Sequence, residues 1–479
     1  MNEASPIPGG EETPAATPPQ EQAPARPAIR GDLTQGPILR TLLMFAMPML
    51  LSNVLQTLNG SVNAIWVGRL LGESALAATA NANIVMFLLF AAIFGFGMAT
   101  TVRVGQYFGA RDIDTARRTF GSGLGFCTLL SLGGAVLGWA GAPALLDLLG
   151  TPDASRIEAL SYLRVLFVSI PLATASTMIS MGMRGAGDSR TPLHAMILTV
   201  AIDIVLNPVL IMGLGPAPEL GIAGSAISTA LANLAGAAFQ LARIYRRDLP
   251  LRLRGAELGY LVPRWAQLRY VATKGLPMGA QMLLWSSAGV IMIGLVNREG
   301  LDTAAAYGAS LQLWNYLQMP AFAVGSAVSA MVAQSLGAQD HARIDKVTAI
   351  GLAAKLVMST VVAALIVGLD RPLLALFLGS GSPALPVAQH IQLVCTASFV
   401  IVSVTMILTG TMRAYGAVIA PLVIMFLGLY PGRLGFYALA YPHMGSEALW
   451  WAYPVGSALT VALTLAYYRI GRWRAAFRM

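Results

Sequence analysis

Residues 192–213 read P-L-H-A-M-I-L-T-V-A-I-D-I-V-L-N-P-V-L-I-M-G, a stretch whose one acidic residue is Asp203. A run this long and apolar spans the roughly 30 Å of bilayer hydrocarbon as an α-helix. It has no period-two alternation and is about twice the length of a barrel strand, so the helix is the spanning form. A carboxylate at that depth costs roughly 2.5–3.5 kcal/mol on insertion scales, so an acid kept there has a task. Thr199, Asp203 and Asn207 stand at i, i+4 and i+8 and share one helix face.

The rest of the chain extends this reading. Of 479 residues 56% are hydrophobic and only 11% charged, and the mean hydropathy is +0.66. Soluble domains carry about 25% charge, so most of this chain belongs in lipid. Twelve apolar spans follow, near 40–67, 82–102, 120–141, 160–182, 192–213, 221–242, 271–296, 304–332, 347–369, 387–410, 418–440 and 447–468. The expected fold is an all-α polytopic membrane protein. Residues 1–36, rich in Pro, Glu, Gln and Ala, read as a disordered cytoplasmic tail. A first six-helix unit covers 37–242, a basic linker 243–270, a second six-helix unit 271–468 and a basic tail 469–479.

Basic residues set the orientation. With the N-terminus in the cytoplasm, 24 of them are assigned to the cytoplasmic side and six to the outer side, Arg433 among the six; Lys355 alone is assigned to neither. Both termini are therefore expected inside, in a multi-pass protein of the inner (cytoplasmic) membrane. The net charge of +9 follows this loop bias and carries no aromatic–basic interleaving, so nucleic acid is not an expected partner. Cys127 and Cys395 sit in apolar runs and read as small buried hydrophobes. No nucleotide loop, metal-ligand cluster or nucleophile–base motif is present, which argues against an enzyme and against any cofactor. A monomer is expected.

The two halves match each other. Pro48-Met49 recurs as Pro277-Met278, Arg69 as Arg298, and Arg184, Gly187 and Pro192 as Arg413, Gly416 and Pro421, all 229 residues on. Gln106, Gly109, Ala110 and Asp112 return as Gln334, Gly337, Ala338 and Asp340, 228 residues on. Each half has six spans, so both copies enter the membrane in the same sense. Parallel repeats of this kind are related by an axis along the membrane normal and place a binding cavity between them.

On these residues the chain resembles the multidrug and toxic compound extrusion (MATE) transporters, over about 430 residues from Thr34 onward. The resemblance rests on V-N-A-I-W-V-G-R (62–69), A-L-A-A (75–78), G-Q-Y-F-G-A-R-D (105–112), Y-L-R-V (162–165), M-R-G-A-G-D-S-R-T-P (183–192), D-I-V-L-N-P (203–208) and L-G-I-A-G-S-A-I-S-T (220–229). It implies two bundles around a V-shaped cavity, exporting small amphipathic or cationic organic compounds in exchange for H+ or Na+ by alternating access. Family members commonly carry an acid in the first span where this chain has Asn63. The subgroup's Asn-then-Asp order in span 5 is reversed here as Asp203 then Asn207. Another branch's span-7 glutamate has no counterpart near Gln281.

The expected cation-coupling set is Asp203, Asn207, Asn63 and Thr199. Asn53, Gln56, Gly60 and Asn63 form a polar stripe on span 1, with Asn59 beside it. Ser225, Thr229 and Asn233 form another on span 6, read chiefly as packing. Gln56, Asn59, Asn233, Gln281, Trp285, Gln312 and Asn315 are the expected cavity residues, with Trp314 and Met319 nearby. Pro48 and Pro277 are candidate hinges, since a missing N–H permits bending. Lys355 is either a charge switch in the second bundle or a side chain snorkelling to the cytoplasm. A flippase for lipid-linked precursors and an exporter of one specific metabolite are alternatives within the superfamily; a passive channel or membrane sensor is the alternative outside it.

Overall fold

A computed structural model describes residues 31–148, 153–216 and 218–477. The tail expected over residues 1–30 lies outside the described residues. The first half runs α1 (Ile38–Leu71), α2 (Glu73–Gly109), α3 (Ile113–Leu148), α4 (Asp153–Gly185), α5 (Arg190–Met212) and α6 (Gly221–Arg246). The second runs α7 (Trp265–Val296), α8 (Leu301–Gly337), α9 (His341–Gly368), a short α10 (Asp370–Leu378), α11 (Ala384–Ala414), α12 (Ile419–Leu427), α13 (Phe436–Met444) and α14 (Glu447–Ile470). Among the described residues, twelve helical stretches are long and apolar enough to cross a membrane, with Ile419–Met444 counted as one. Helices overrun the expected spans because polar turns at their ends continue the helix beyond the apolar core.

Most helices of each half pack within that half, whereas α7 lies chiefly against α2 of the first. In the first, α5 packs on α6 and α1, and α4 on α2, α3 and α6; in the second, α11 packs on α8, α9 and α14. The repeat extends to the connections. Asp112 accepts from the Thr115 amide at 3.0 Å and Asp340 from the Arg343 amide at 2.9 Å, so each acid caps the helix that follows its turn.

The two halves meet along α2 and α7, where Gly95 packs on Gly275 and Gly279, and at one face, that at which α1 begins and α2, α4, α8 and α11 end. There α1 residues Leu42, Phe45 and Met49 share a core with Val324, Ala327 and Val328 of α8. Gly109 and Gly337 let α2 and α8 touch backbone to backbone: a β-carbon on Gly109 would overlap the Gln334 carbonyl, and one on Gly337 the Gln106 carbonyl. Gln106 Nε2 donates across the junction to the Ala414 carbonyl at 2.6 Å, and Gln334 Nε2 to the Gly185 carbonyl at 3.0 Å. These bonds are mates under the repeat, each tying an α2-type helix to the end of an α4-type helix in the other bundle. Arg103 stacks between Tyr107 of its own helix and Tyr270 of α7, 4.6 and 4.7 Å from the ring centres.

Residues 31–36 cross this junction as a strap. Asp32 pairs with Arg111 of the first bundle at 2.8 Å. The Leu33 amide donates to Gln334 Oε1 at 2.8 Å, and Arg343 of α9 donates to the carbonyls of Leu33, Gln35 and Gly36. Leu33 is buried in the junction core. This corrects the expectation of disorder through residue 36, because composition does not reveal that Leu33 has a pocket to fill.

Two further departures concern connections. The linker forms a 3-10 turn (Gly255–Leu261) seated on α3, where Glu257 pairs with Arg117 at 2.8 Å and the Tyr260 hydroxyl donates to Asp114 at 2.9 Å. Beyond α14, the basic C-terminal stretch folds back and buries Trp473 against Tyr415 and Tyr468.

Candidate ion site and central cavity

Asp203 is fully buried at the contact of α5 with α1 and α6. Asn59 and Asn63, one turn apart on α1, donate their amides to Asp203 Oδ2 at 2.8 and 3.0 Å. From α6, Ser228 donates to Oδ1 at 2.7 Å, and Thr229 lies 3.3 Å from both oxygens. Asn207 donates to Asn63 Oδ1 at 2.7 Å. Because an ionised carboxylate only accepts, it fixes how the amides around it turn. Asn63 must present its NH2 to Asp203, so its oxygen is left for Asn207. Two amide oxygens then end the network without donors, Asn59 Oδ1 and Asn207 Oδ1. The site thus combines a carboxylate with unpartnered neutral oxygens, the hard donors that alkali and alkaline-earth cations take.

Of the residues expected around Asp203, Asn63 and Asn207 are drawn into its network and Asn59 joins them from the group assigned to the cavity. Thr199 does not bond the carboxylate; its hydroxyl packs where a β-carbon on Gly236 would sit. Ser228 was not foreseen, and Thr229 was read chiefly as packing. The signal was a pair of adjacent hydroxyls on one span facing an acid on the preceding span, which pairing between helices reveals and spacing within one helix does not.

A cavity of about 410 Å³ lies between the bundles just beyond the closed junction. Asn53 and Gln56 of α1, Arg184 of α4 and Met319, Ser326 and Ser329 of α8 contribute to its wall. Gln56 and Met319 are thus among the residues lining this cavity. Gln281 instead donates to the Val418 carbonyl at 3.3 Å, Gln312 and Asn315 are exposed on α8 and not part of this wall, and Trp285 and Asn233 are half-buried away from it. Trp314 is fully buried, its indole donating to Gln392 and Thr396 at 3.0 and 3.3 Å.

Two intramembrane charges differ from their sequence reading. Lys355 does not snorkel: it is buried, with Nζ 3.8 Å from Met406 Sδ. Arg433, counted as an outer-loop charge, lies inside a span in a π-helical stretch (Gly428–Gly435), buried and stacked 4.1 Å from the centre of the Tyr453 ring. Pro48 and Pro277 sit within unbroken helices, and Ser52 donates to the Pro48 carbonyl at 2.8 Å. Cys127 and Cys395 are free and buried.

Two parallel six-helix repeats, a junction closed at one face and a cavity beyond it define a polytopic membrane transporter. The MatE family model matches residues 48–209 and 277–436, one segment in each half, and the chain belongs to the MATE family of secondary transporters. It is not an enzyme. Among its relatives, it is 31% identical to a probable multidrug resistance protein, YoeA, of Bacillus subtilis, over 92% of this chain and 96% of that protein. It is 25% identical to an FAD transporter of Shewanella oneidensis, over 90% and 94%. A solved structure described as the outward-facing conformation of a multidrug resistance MATE family transporter superposes with a TM-score of 0.84, covering 93% of this chain and 98% of that one at 20% identity.

Proposed function

We propose that this protein exports small amphipathic organic compounds from the cytoplasm in exchange for H+ or Na+ by alternating access, with the coupling ion held at Asp203. The multidrug resistance names of its relatives support the substrate breadth. The observation that carries the coupling role is the network at Asp203: a fully buried carboxylate with convergent donors from two neighbouring helices and two orphaned amide oxygens. Na+ would find oxygen ligands there; a proton would convert the carboxylate to a donor and turn the Asn59 or Asn63 amide around. Either event rearranges contacts joining α1, α5 and α6, so ion occupancy has a mechanical route to the bundle that flanks the cavity. Coupling requires that ion and substrate favour different states.

The closed junction carries the strap formed by residues 31–36, and the distribution of basic residues supports a cytoplasmic position for that face. On that orientation the structure is outward-facing, in an inner membrane. Efflux driven by an imposed pH or Na+ gradient in proteoliposomes is the test. Wild type is expected to accumulate substrate against its gradient, and Asp203→Asn to lose coupled transport while still folding. Full coupled transport by the variant would remove Asp203 from the mechanism, and passive equilibration by wild type would favour a channel.

A further inference from the structure

Arg184 is the one charged residue in the wall of the central cavity. Among the described residues no carboxylate lies within ion-pairing distance of it. Its Nε is buried without a hydrogen-bond partner, and so is the hydroxyl of Ser329 on α8 in the same wall. Two residues that each carry an unpartnered donor, one from each bundle, thus contribute to the wall of a single space, with those two atoms set just behind its surface. The acid that a cationic substrate would seek is elsewhere: Asp203 is fully buried and its oxygens are already met by amides and hydroxyls. Much of the remaining wall is thioether and aromatic, with Met49, Met98 and Met319 beside Phe94 and Phe322. Such surfaces repack around apolar bodies of varied shape.

We propose that this cavity takes amphipathic organic anions, with a carboxylate, sulfonate or phosphate head between Arg184 and Ser329 and an apolar body against the methionines. A guanidinium offers a planar fork that matches such heads, and a desolvated cation without a partner is costly enough to make an incoming anion favourable. The repeat provides a comparison. Arg413 occupies the equivalent position on α11, its Nε is likewise buried without a partner, and it is not part of this wall. If Arg184 served only to complement the negative end of its helix, the two arginines would be equivalent.

The inference deepens the export reading and rests on it for direction of transport, but its test is equilibrium binding to purified full-length protein with no gradient imposed. The probes are two xanthene dyes of similar size, anionic fluorescein and cationic rhodamine 6G, followed by fluorescence anisotropy. Wild type is expected to bind fluorescein more tightly than rhodamine 6G. Arg184→Gln should weaken fluorescein at least tenfold without weakening rhodamine 6G, Arg184→Lys should weaken it several-fold, and Arg413→Gln should leave it unchanged. Tighter binding of rhodamine 6G by wild type, or equal losses in Arg184→Gln and Arg413→Gln, would overturn the assignment. Should Arg184→Gln fail to fold, Arg184→Lys and Ser329→Ala carry the same comparison. Failure of gradient-driven export, with fluorescein still bound through Arg184, would sink the export reading and leave the polarity of the cavity standing.

Discussion

Ser228 makes the shortest bond to Asp203, at 2.7 Å, and leaves Oδ1 with only the longer Thr229 contact when removed. A hydrogen bond to a charged group is worth about 1.5–3 kcal/mol, so Ser228→Ala is expected to shift the ion concentration for half-maximal efflux by roughly ten- to a hundredfold, downward for H+, because the lost donor no longer stabilises the carboxylate, and upward for Na+, which loses an oxygen ligand. Thr199→Ala, which removes no bond to the carboxylate, should shift it by less than about threefold, a distinction that follows from the structure and not from the spacing. The acid itself was legible, since a charge in residues 192–213 stands out against apolar neighbours. Its amide partners on α1 were legible as a polar stripe. Ser228 was hidden because it lies in a run of small residues, A-G-S-A-I-S-T (223–229), that reads equally well as close helix packing.

Helices α2 and α8 close the junction through glycines, and this contact tolerates no side chain. Gly109→Val or Gly337→Val is expected to hold the bundles apart at that face. Spin labels at Arg190 and Ala342, exposed positions on opposite bundles, should then report a longer and broader distance distribution than in wild type. An unchanged distribution would mean that the α2–α8 contact does not set the closed state. The paired motifs G-Q-Y-F-G-A-R-D and V-A-Q-S-L-G-A-Q-D (332–340) were visible as a repeat, yet their role was not: a turn-forming glycine and a contact glycine look alike until the second helix is in place. The π-helical stretch around Arg433 was equally opaque. Insertion of one residue per turn shifts side chains around the axis without altering composition, so a charge near a span's predicted end became a buried one.

Twelve spans, their division into two sets of six and the repeat between them came from hydropathy and internal matches, because bilayer thickness fixes helix length and duplication preserves offsets. The closure at one face did not, since it depends on contacts between residues 149 to 310 positions apart. The strap belongs to that category. It joins Arg111 of one bundle to Gln334 and Arg343 of the other, so opening the junction requires its release from at least one side. Deletion of residues 1–36, or Asp32→Ala with Leu33→Ser, is expected to raise the fraction of molecules open at that face, read as faster labelling of a cysteine introduced at Ala333. The same strap makes two duplicated halves unequal. Gln106 and Gln334 are mates by descent, yet Gln334 holds the strap's Leu33 amide and Gly31 carbonyl as well as Gly185, whereas Gln106 holds Ala414 and receives Arg103 from its own helix. A duplication alone predicts identical consequences for Gln106→Ala and Gln334→Ala. The strap predicts that the second is the more damaging, so that one copy of an ancestral gate has become the keeper of the chain's own N-terminus and the other has not.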